Sequence, residues 1–259
     1  MDLGLQGKVA LVTGASRGLG RAMAHALADE GMCVSICART EPTLNEAVAA
    51  LTKAGSSQPR AMGMVADMTK PDEAQRWVEE TLKKFGGIDV LVNNAGAAHP
   101  GALAELSESA WQAEFDLNLL APVRLARLCA PHMAKRGGGS IINIGSIYGR
   151  ESGGPLTYNA SKAALHSFTK MLARELAPKN IRVNTIAPGS ILTAGGIWEH
   201  LFRENPAFEK DFISHEMPAG RLGRPEEVAY AVVMLASPRA SWITGANIPV
   251  DGAQGRSIL

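Results

Sequence analysis

Aromatic residues supply only 5% of the 259-residue chain, and cysteine occurs three times. With so few rings against 46% hydrophobic residues, the core must be aliphatic and alanine-rich. Cys33 and Cys37 fall in one predicted strand, where four residues span about 13 Å, beyond disulfide reach. With Cys129 they read as reduced thiols of a cytoplasmic protein. Charge of either sign is in balance, with a net of +1, so nothing drives a nucleic-acid or membrane partner by bulk electrostatics. No apolar run reaches membrane-spanning length, and Met1-Asp2-Leu3-Gly4-Leu5 does not read as a signal peptide. The six histidines are scattered without metal-ligand spacing, so no metal site is expected.

What the chain does have is rhythm. Apolar runs at Val9–Thr13, Cys33–Cys37, Ala61–Val65, Val90–Val92, Ser140–Ile144, Ile181–Ile186 and Asn247–Val250 read as seven strands. Between them lie helix-period stretches, among them Gly20–Glu30, Glu73–Phe85, Trp111–Lys135, Thr157–Ala177 and Glu226–Ala236. Strands that are apolar throughout and separated by helices imply a parallel sheet covered on both faces. The expectation is one doubly wound α/β domain over residues 1–259, binding ligands beyond the carboxyl ends of its strands. The rhythm lapses between Ala194 and Arg221, where Trp198 and several other apolar residues follow Gly195-Gly196. This stretch reads as a lid, about 194–221, hinged at the glycines.

Directly after the first strand comes Thr13-Gly14-Ala15-Ser16-Arg17-Gly18-Leu19-Gly20. Gly14 permits a sharp turn, Gly18 lets backbone approach a pyrophosphate, and Gly20 lets the following helix pack closely on the sheet. That helix start offers unpaired N–H groups to an anion. An acid at the end of the second strand would accept bonds from the ribose 2′-hydroxyl of NAD. The chain has Ala38-Arg39-Thr40 there, and Arg39 with Arg17 can grip a 2′-phosphate instead. The expected cofactor is NADP(H), with NAD(H) an alternative.

Tyr158 and Lys162 stand four residues apart, on one face of a helix, with Ser146 a short way upstream. A free phenol titrates near 10, and a nearby cation favours its charged form. A downward shift of about three units, worth roughly 4 kcal/mol, would poise Tyr158 to exchange a proton at a carbonyl or alcohol near neutral pH.

Together these pieces resemble the short-chain dehydrogenase/reductase family over essentially the whole length. The landmarks run in family order: the Gly14–Gly20 loop, Asn93-Asn94-Ala95-Gly96, Asn118, Ser146, Tyr158-x-x-x-Lys162, Pro188-Gly189 and Gly223-Arg224-Pro225. The resemblance implies a seven-stranded parallel sheet, commonly in a homotetramer, and a catalytic set of Asn118, Ser146, Tyr158 and Lys162. In it Ser146 holds the substrate oxygen, Tyr158 is the general acid or base, Lys162 lowers the Tyr158 pKa and bonds the nicotinamide ribose, and Asn118 supports a water leading to solvent. It also implies that Asp67, with Met68 beside it, contacts adenine and that Asn93, Asn94, Ala95 and Gly96 approach the adenosine ribose. Ile144, Pro188, Gly189, Ile191 and Thr193 would surround the nicotinamide. Gly252-Ala253 departs from the usual Gly-Gly after Asp251.

The substrate pocket is expected among Ser146, Tyr148, Gly153, Gly154, Tyr158 and Trp198, with His99 nearby. Within the family the chain is most similar to 3-oxoacyl-(acyl carrier protein) reductases and related keto reductases. Arg136 and Lys179 match basic positions that such enzymes use toward an acyl carrier protein. A small-molecule carbonyl or alcohol is the alternative substrate, as is oxidative work on alcohols or sugars with NAD. A dinucleotide-sensing scaffold without catalysis is the remaining reading.

Overall fold

The computed structural model describes residues 2–53 and 61–258. Its strands are β1 (Val9–Thr13), β2 (Cys33–Ala38), β3 (Ala61–Val65), β4 (Val90–Asn93), β5 (Gly139–Ile144), β6 (Ile181–Pro188) and β7 (Asn247–Val250). They pair in parallel as β3-β2-β1-β4-β5-β6-β7, the seven-stranded sheet expected from the sequence. The helices are α1 (Gly18–Asp29), α2 (Glu41–Lys53), α3 (Pro71–Phe85), α4 (Glu108–Phe115), α5 (Ala121–Lys135), α6 (Leu156–Leu176), α7 (Ile197–Glu204), α8 (Pro206–Glu216) and α9 (Pro225–Ala236).

Successive residues of a strand point to opposite faces, and β1 shows the consequence. Ala10 and Val12 join a core with Leu27 of α1, Leu44 of α2 and Val232 of α9. Val9 and Leu11 join a second core with Trp77 of α3, Leu125 of α5 and Leu176 of α6. Both faces are therefore covered, which is why most strand residues are apolar.

Register aligns the carboxyl ends. Thr13 lies opposite Cys37, Asn93 opposite Asn143, and Ile144 opposite Ile186. The loops after β1, β4, β5 and β6 thus open along one edge. Strand order reverses between β1 and β4, which places a crevice there.

Three features go beyond the sequence reading. α2 turns its apolar Leu44, Ala47 and Leu51 inward. The predicted helix Trp111–Lys135 is two helices separated by a single π-turn, Asp116–Leu120, in which Ala121 N donates to Asp116 O. The lid stretch is not irregular: it forms α7 and α8, whose Trp198, Phe202, Phe208 and Phe212 build a small core with Met217 and Leu222. Two short helices joined at Asn205 are too brief to leave a clear helical period in the sequence. No helix among the described residues is long and apolar enough to cross a membrane.

Candidate active site

The loop after β1 opens a cavity of about 610 Å³ that runs from Arg39 and Asp67 to Gly96. Gly14 and Gly18 have φ of 64° and 57°, the left-handed region that glycine enters without strain. A Cβ on Gly20 would stand 2.4 Å from Gly14 O, so α1 can start this close to the loop only with glycine. Asn94 fastens the two sides of the crevice: its Nδ2 donates to Thr13 O at 2.9 Å, while Asn94 N and Ala95 N both donate to Thr13 Oγ1.

The expected residues Gly14, Ser16, Arg17, Gly18, Leu19, Gly20, Arg39, Thr40, Asp67, Met68, Asn94, Ala95, Gly96 and Thr193 all line this one cavity. Neither the Arg17 nor the Arg39 guanidinium hydrogen-bonds or ion-pairs with another described residue, and both residues line this cavity. Burial pushes the Asp67 carboxyl up, but hydrogen bonds from Thr69 and the charges of Arg39 and Lys70 outweigh it and hold the group below its usual range.

Others do not line this cavity. Asn93 is not at the cavity; it is buried in the sheet, with Nδ2 donating to Asn143 Oδ1 at 2.8 Å. Ile191 is 7% exposed and packs into the core on the α1 face, and Gly189 sits against Asp251 and Gln254. Ile144 and Pro188 end β5 and β6. The cavity also takes in Thr69 and Leu117, whose contribution depends on chain folding from other loops and has no local motif.

At the inner end of the cavity, the candidate catalytic residues come together from separate elements. A Cβ on Gly96 would lie 3.0 Å from Asn118 Oδ1 and 3.5 Å from Lys162 Nζ. Lys162 is 4% exposed, donates to Ile144 O at 2.8 Å, and has Nζ 5.5 Å from the centre of the Tyr158 ring. The hydroxyls of Tyr158 and Ser146 are hydrogen-bonded, and Ser146 Oγ also accepts from Tyr148 N at the head of the turn Ile147–Gly149. Asn118 sits in the π-turn. Its Oδ1 accepts from Ala97 N, and its Nδ2 donates to Ala97 O and Ser161 Oγ. The side chain is therefore engaged by protein, so a water beside it would have to use other atoms.

The electrostatic balance reverses one expectation. Spacing predicts a phenol drawn down by Lys162. Instead, burial pushes Tyr158 up, the Ser146 hydrogen bond acts in the opposite direction, and the charge of Glu114 adds to the rise. Burial lowers Lys162 to about 8, against a smaller upward pull from Glu114. Low-dielectric surroundings penalise any charged form, and here that outweighs pairing. Tyr158 thus carries its proton at neutral pH.

Glu114 is the residue that the sequence reading missed. Its side chain is 0% exposed, yet it touches three elements. Oε2 accepts from Thr157 Oγ1 at 2.7 Å and from His99 N at 3.0 Å, and lies 2.8 Å from His99 Nδ1; Oε1 accepts from Asn118 Nδ2 at 3.3 Å. The available signal was Glu four residues before Asn on one helical run, which places both on one face.

Of the residues expected at the substrate pocket, Tyr148 and Gly153 line a second cavity of about 560 Å³ together with Glu151, Asp211, Glu216 and Arg256. Gly153 and Gly154 have φ of 147° and 67°, and a Cβ on either would run into the Tyr148 ring. Trp198 does not line it; its ring stacks on Phe212 with centroids 4.4 Å apart. The lid aromatics build the lid's own core, and Phe208 and Phe212 also line this cavity. Ala253 occupies the left-handed region at φ 67°. An L side chain pays about 1–2 kcal/mol there, so Ala253→Gly is expected to raise unfolding stability by about 0.5–1 kcal/mol in chemical denaturation.

Arg136 has a structural partner. Its Nε and Nη2 donate to the two carboxylate oxygens of Asp89, which is 6% exposed and also accepts from Val9 N. The pair sits at the amino-terminal edge of the sheet, where Ser140 N bonds Asp89 O, so within this chain it lies at the opposite end from Tyr158. Lys179 ends the short turn that precedes β6, at the same edge. Removing the guanidinium leaves a buried carboxylate short of donors; Arg136→Ala is expected to cost about 1–3 kcal/mol in urea unfolding, with kcat of the folded fraction unchanged.

Comparison with known proteins places this geometry. The family model described as enoyl-(acyl carrier protein) reductase matches residues 14–253. The chain is 40% identical over 255 residues to dehydrogenase/reductase SDR family member 4 of Mus musculus, covering 96% of this chain and 87% of that one. It is 39% identical over 251 residues to a 3-oxoacyl-(acyl-carrier-protein) reductase of Vibrio cholerae, covering 96% and 98%. The L-sorbose reductase of Gluconobacter frateurii, solved with NADPH and L-sorbose, superposes with a TM-score of 0.94 at 37% identity over 100% of both chains.

Proposed function

The chain belongs to the short-chain dehydrogenase/reductase family of oxidoreductases, and from that premise we propose that it is an NADP(H)-dependent keto reductase. The observation that carries this reading is a half-buried, proton-bearing Tyr158 hydrogen-bonded to Ser146, with Lys162 beside its ring. When bound, the nicotinamide supplies the hydride. Ser146 holds the carbonyl oxygen, and Tyr158 gives that oxygen its proton as the alcohol forms. Lys162, a cation below about pH 8, favours the tyrosinate that remains. Asn118 fixes the backbone at Ala97, immediately after Gly96.

NADP is favoured over NAD by the guanidiniums of Arg17 and Arg39, which hydrogen-bond to no described residue, and by the lack of an acid at the end of β2. The reductive direction is favoured because the phenol starts protonated, whereas oxidation needs it deprotonated. A homotetramer agrees with the apolar side chains of Leu120, Leu156 and Met171, which are 40%, 48% and 63% exposed.

Two observations bear on the substrate. The cavity beyond Tyr148 is lined by three carboxylates, Glu151, Asp211 and Glu216, alongside Arg256 and His215; Glu216 pairs with Arg256, Asp211 with His215, and Glu151 accepts from the Arg256 and Ser257 amides, so the lining is polar and close to balanced in charge. Arg136, one of the two candidates for contacting an acidic carrier, is paired with Asp89. Both favour a small neutral ketone bearing hydroxyls over a carrier-linked 3-oxoacyl thioester. The test compares kcat/KM for hydroxylated ketones and for carrier- and coenzyme-A-linked 3-oxoacyl thioesters, each with NADPH and NADH. The highest value is expected for a hydroxylated ketone with NADPH; a preference for the carrier-linked thioester would replace the substrate assignment, and a preference for NADH the cofactor assignment.

A further inference from the structure

We propose that Glu114 is a positioning residue of this active site, a buried carboxylate that binds Asn118, Thr157 and His99 into one cluster and sets the pH range over which Tyr158 can deliver its proton. The inference rests on the reductase reading above and extends it to a residue that touches neither substrate nor hydride.

Burial makes the placement unusual. A carboxylate removed from water is costly unless donors surround it. Glu114 is completely buried, and every group it meets can donate: the Thr157 hydroxyl, the His99 amide and ring, and the Asn118 amide. These donors come from the loop after β4, from the π-turn and from the first turn of α6. Thr157 immediately precedes Tyr158, and Asn118 spans both ends of the Ala97 backbone and Ser161. One carboxylate therefore fixes the elements that carry the candidate proton donor and the base of its pocket.

Its charge acts on the same site. Glu114 raises the proton affinity of both Tyr158 and Lys162. The other titratable or charged groups facing this cluster are His99 from the loop after β4, Tyr148 from the turn after β5, and His166 of α6, which senses Lys162 and Arg150. Reduction uses the protonated phenol, so activity falls as pH rises through the range in which the Tyr158–Lys162 pair loses its proton. An anion nearby delays that loss. A neutral side chain at position 114 therefore moves the basic limb toward lower pH.

The test is the pH dependence of kcat/KM for ketone reduction with saturating NADPH, using wild type, Glu114→Gln, Glu114→Met and Thr157→Val. Glu114→Gln is expected to shift the basic limb down by about one pH unit, with NADPH affinity within about twofold of wild type. Glu114→Met fills the same space without charge; it is expected to shift the limb in the same direction and serves if the glutamine variant does not fold. Thr157→Val loses one hydrogen bond but keeps the charge, so its limb stays in place even if kcat drops. A limb that coincides with wild type in the neutral variants overturns the proposal. So does an equal shift in Thr157→Val, which would show a general structural disturbance. Absence of Tyr158-dependent reduction in wild type would instead overturn the underlying reading, and this inference with it.

Discussion

Tyr158→Phe is expected to lower kcat for ketone reduction by about 10³-fold or more while NADPH affinity stays within about twofold of wild type. The substitution removes one oxygen from a half-buried ring and leaves the ring's packing in place. It takes away the proton donor and the hydrogen bond to Ser146. The cofactor cavity is bounded by Arg39, Asp67, the glycine loop and Gly96, none of which contacts that oxygen, so binding is preserved. Fluorescence titration with NADPH and initial rates on the same preparations separate the two effects. A variant retaining a tenth of wild-type kcat would show that another group supplies the proton.

The second large effect concerns the other end of the cavity. Arg39→Ala is expected to weaken NADPH binding by about 10- to 100-fold, the range of one or two charge-assisted hydrogen bonds to a phosphate. NADH affinity should change less than about threefold, because the Arg39 guanidinium makes no hydrogen bond or ion pair with a described residue and acts only through charge on the partly exposed Asp67. The side chain is exposed at the end of β2, so folding stability should stay within about 0.5 kcal/mol. Arg17→Ala is expected to act in the same sense, and the double variant should lose less than the sum because both guanidiniums line one small region. Direct titration with both cofactors decides the matter: equal losses for NADPH and NADH would place Arg39 away from a 2′-phosphate.

Much of this was legible before any coordinates. Apolar strands such as Val9–Thr13 point to a sheet covered on both faces, and the glycine loop after them is where the cavity opens. What stayed hidden depended on contacts between distant parts of the chain. Arg136 reads as a free surface cation until Asp89, 47 residues earlier, is seen to hold both its nitrogens. The proton balance of Tyr158 follows from its depth and from Glu114, neither of which the Tyr-x-x-x-Lys spacing contains. Glu114 itself is meaningful only with Thr157, 43 residues away. The lid aromatics read equally as a pocket or a core from spacing alone; in the structure Trp198 packs on Phe212 at 4.4 Å in a small core, while Phe208 and Phe212 also line the second cavity. The π-turn that displaces Asn118 from regular helix has no pattern of its own, and such turns recur at functional sites because they reorient a few side chains without ending the helix.

The central claim is that Tyr158 passes a proton to a carbonyl oxygen as NADPH is oxidised. The most direct measurement mixes the protein with NADPH and a panel of ketones, and follows both NADPH loss and alcohol formed in wild type and Tyr158→Phe. The account expects one alcohol per NADPH consumed with at least one ketone, and neither change above background in the phenylalanine variant. Stoichiometric turnover that survives the loss of the Tyr158 hydroxyl would contradict it.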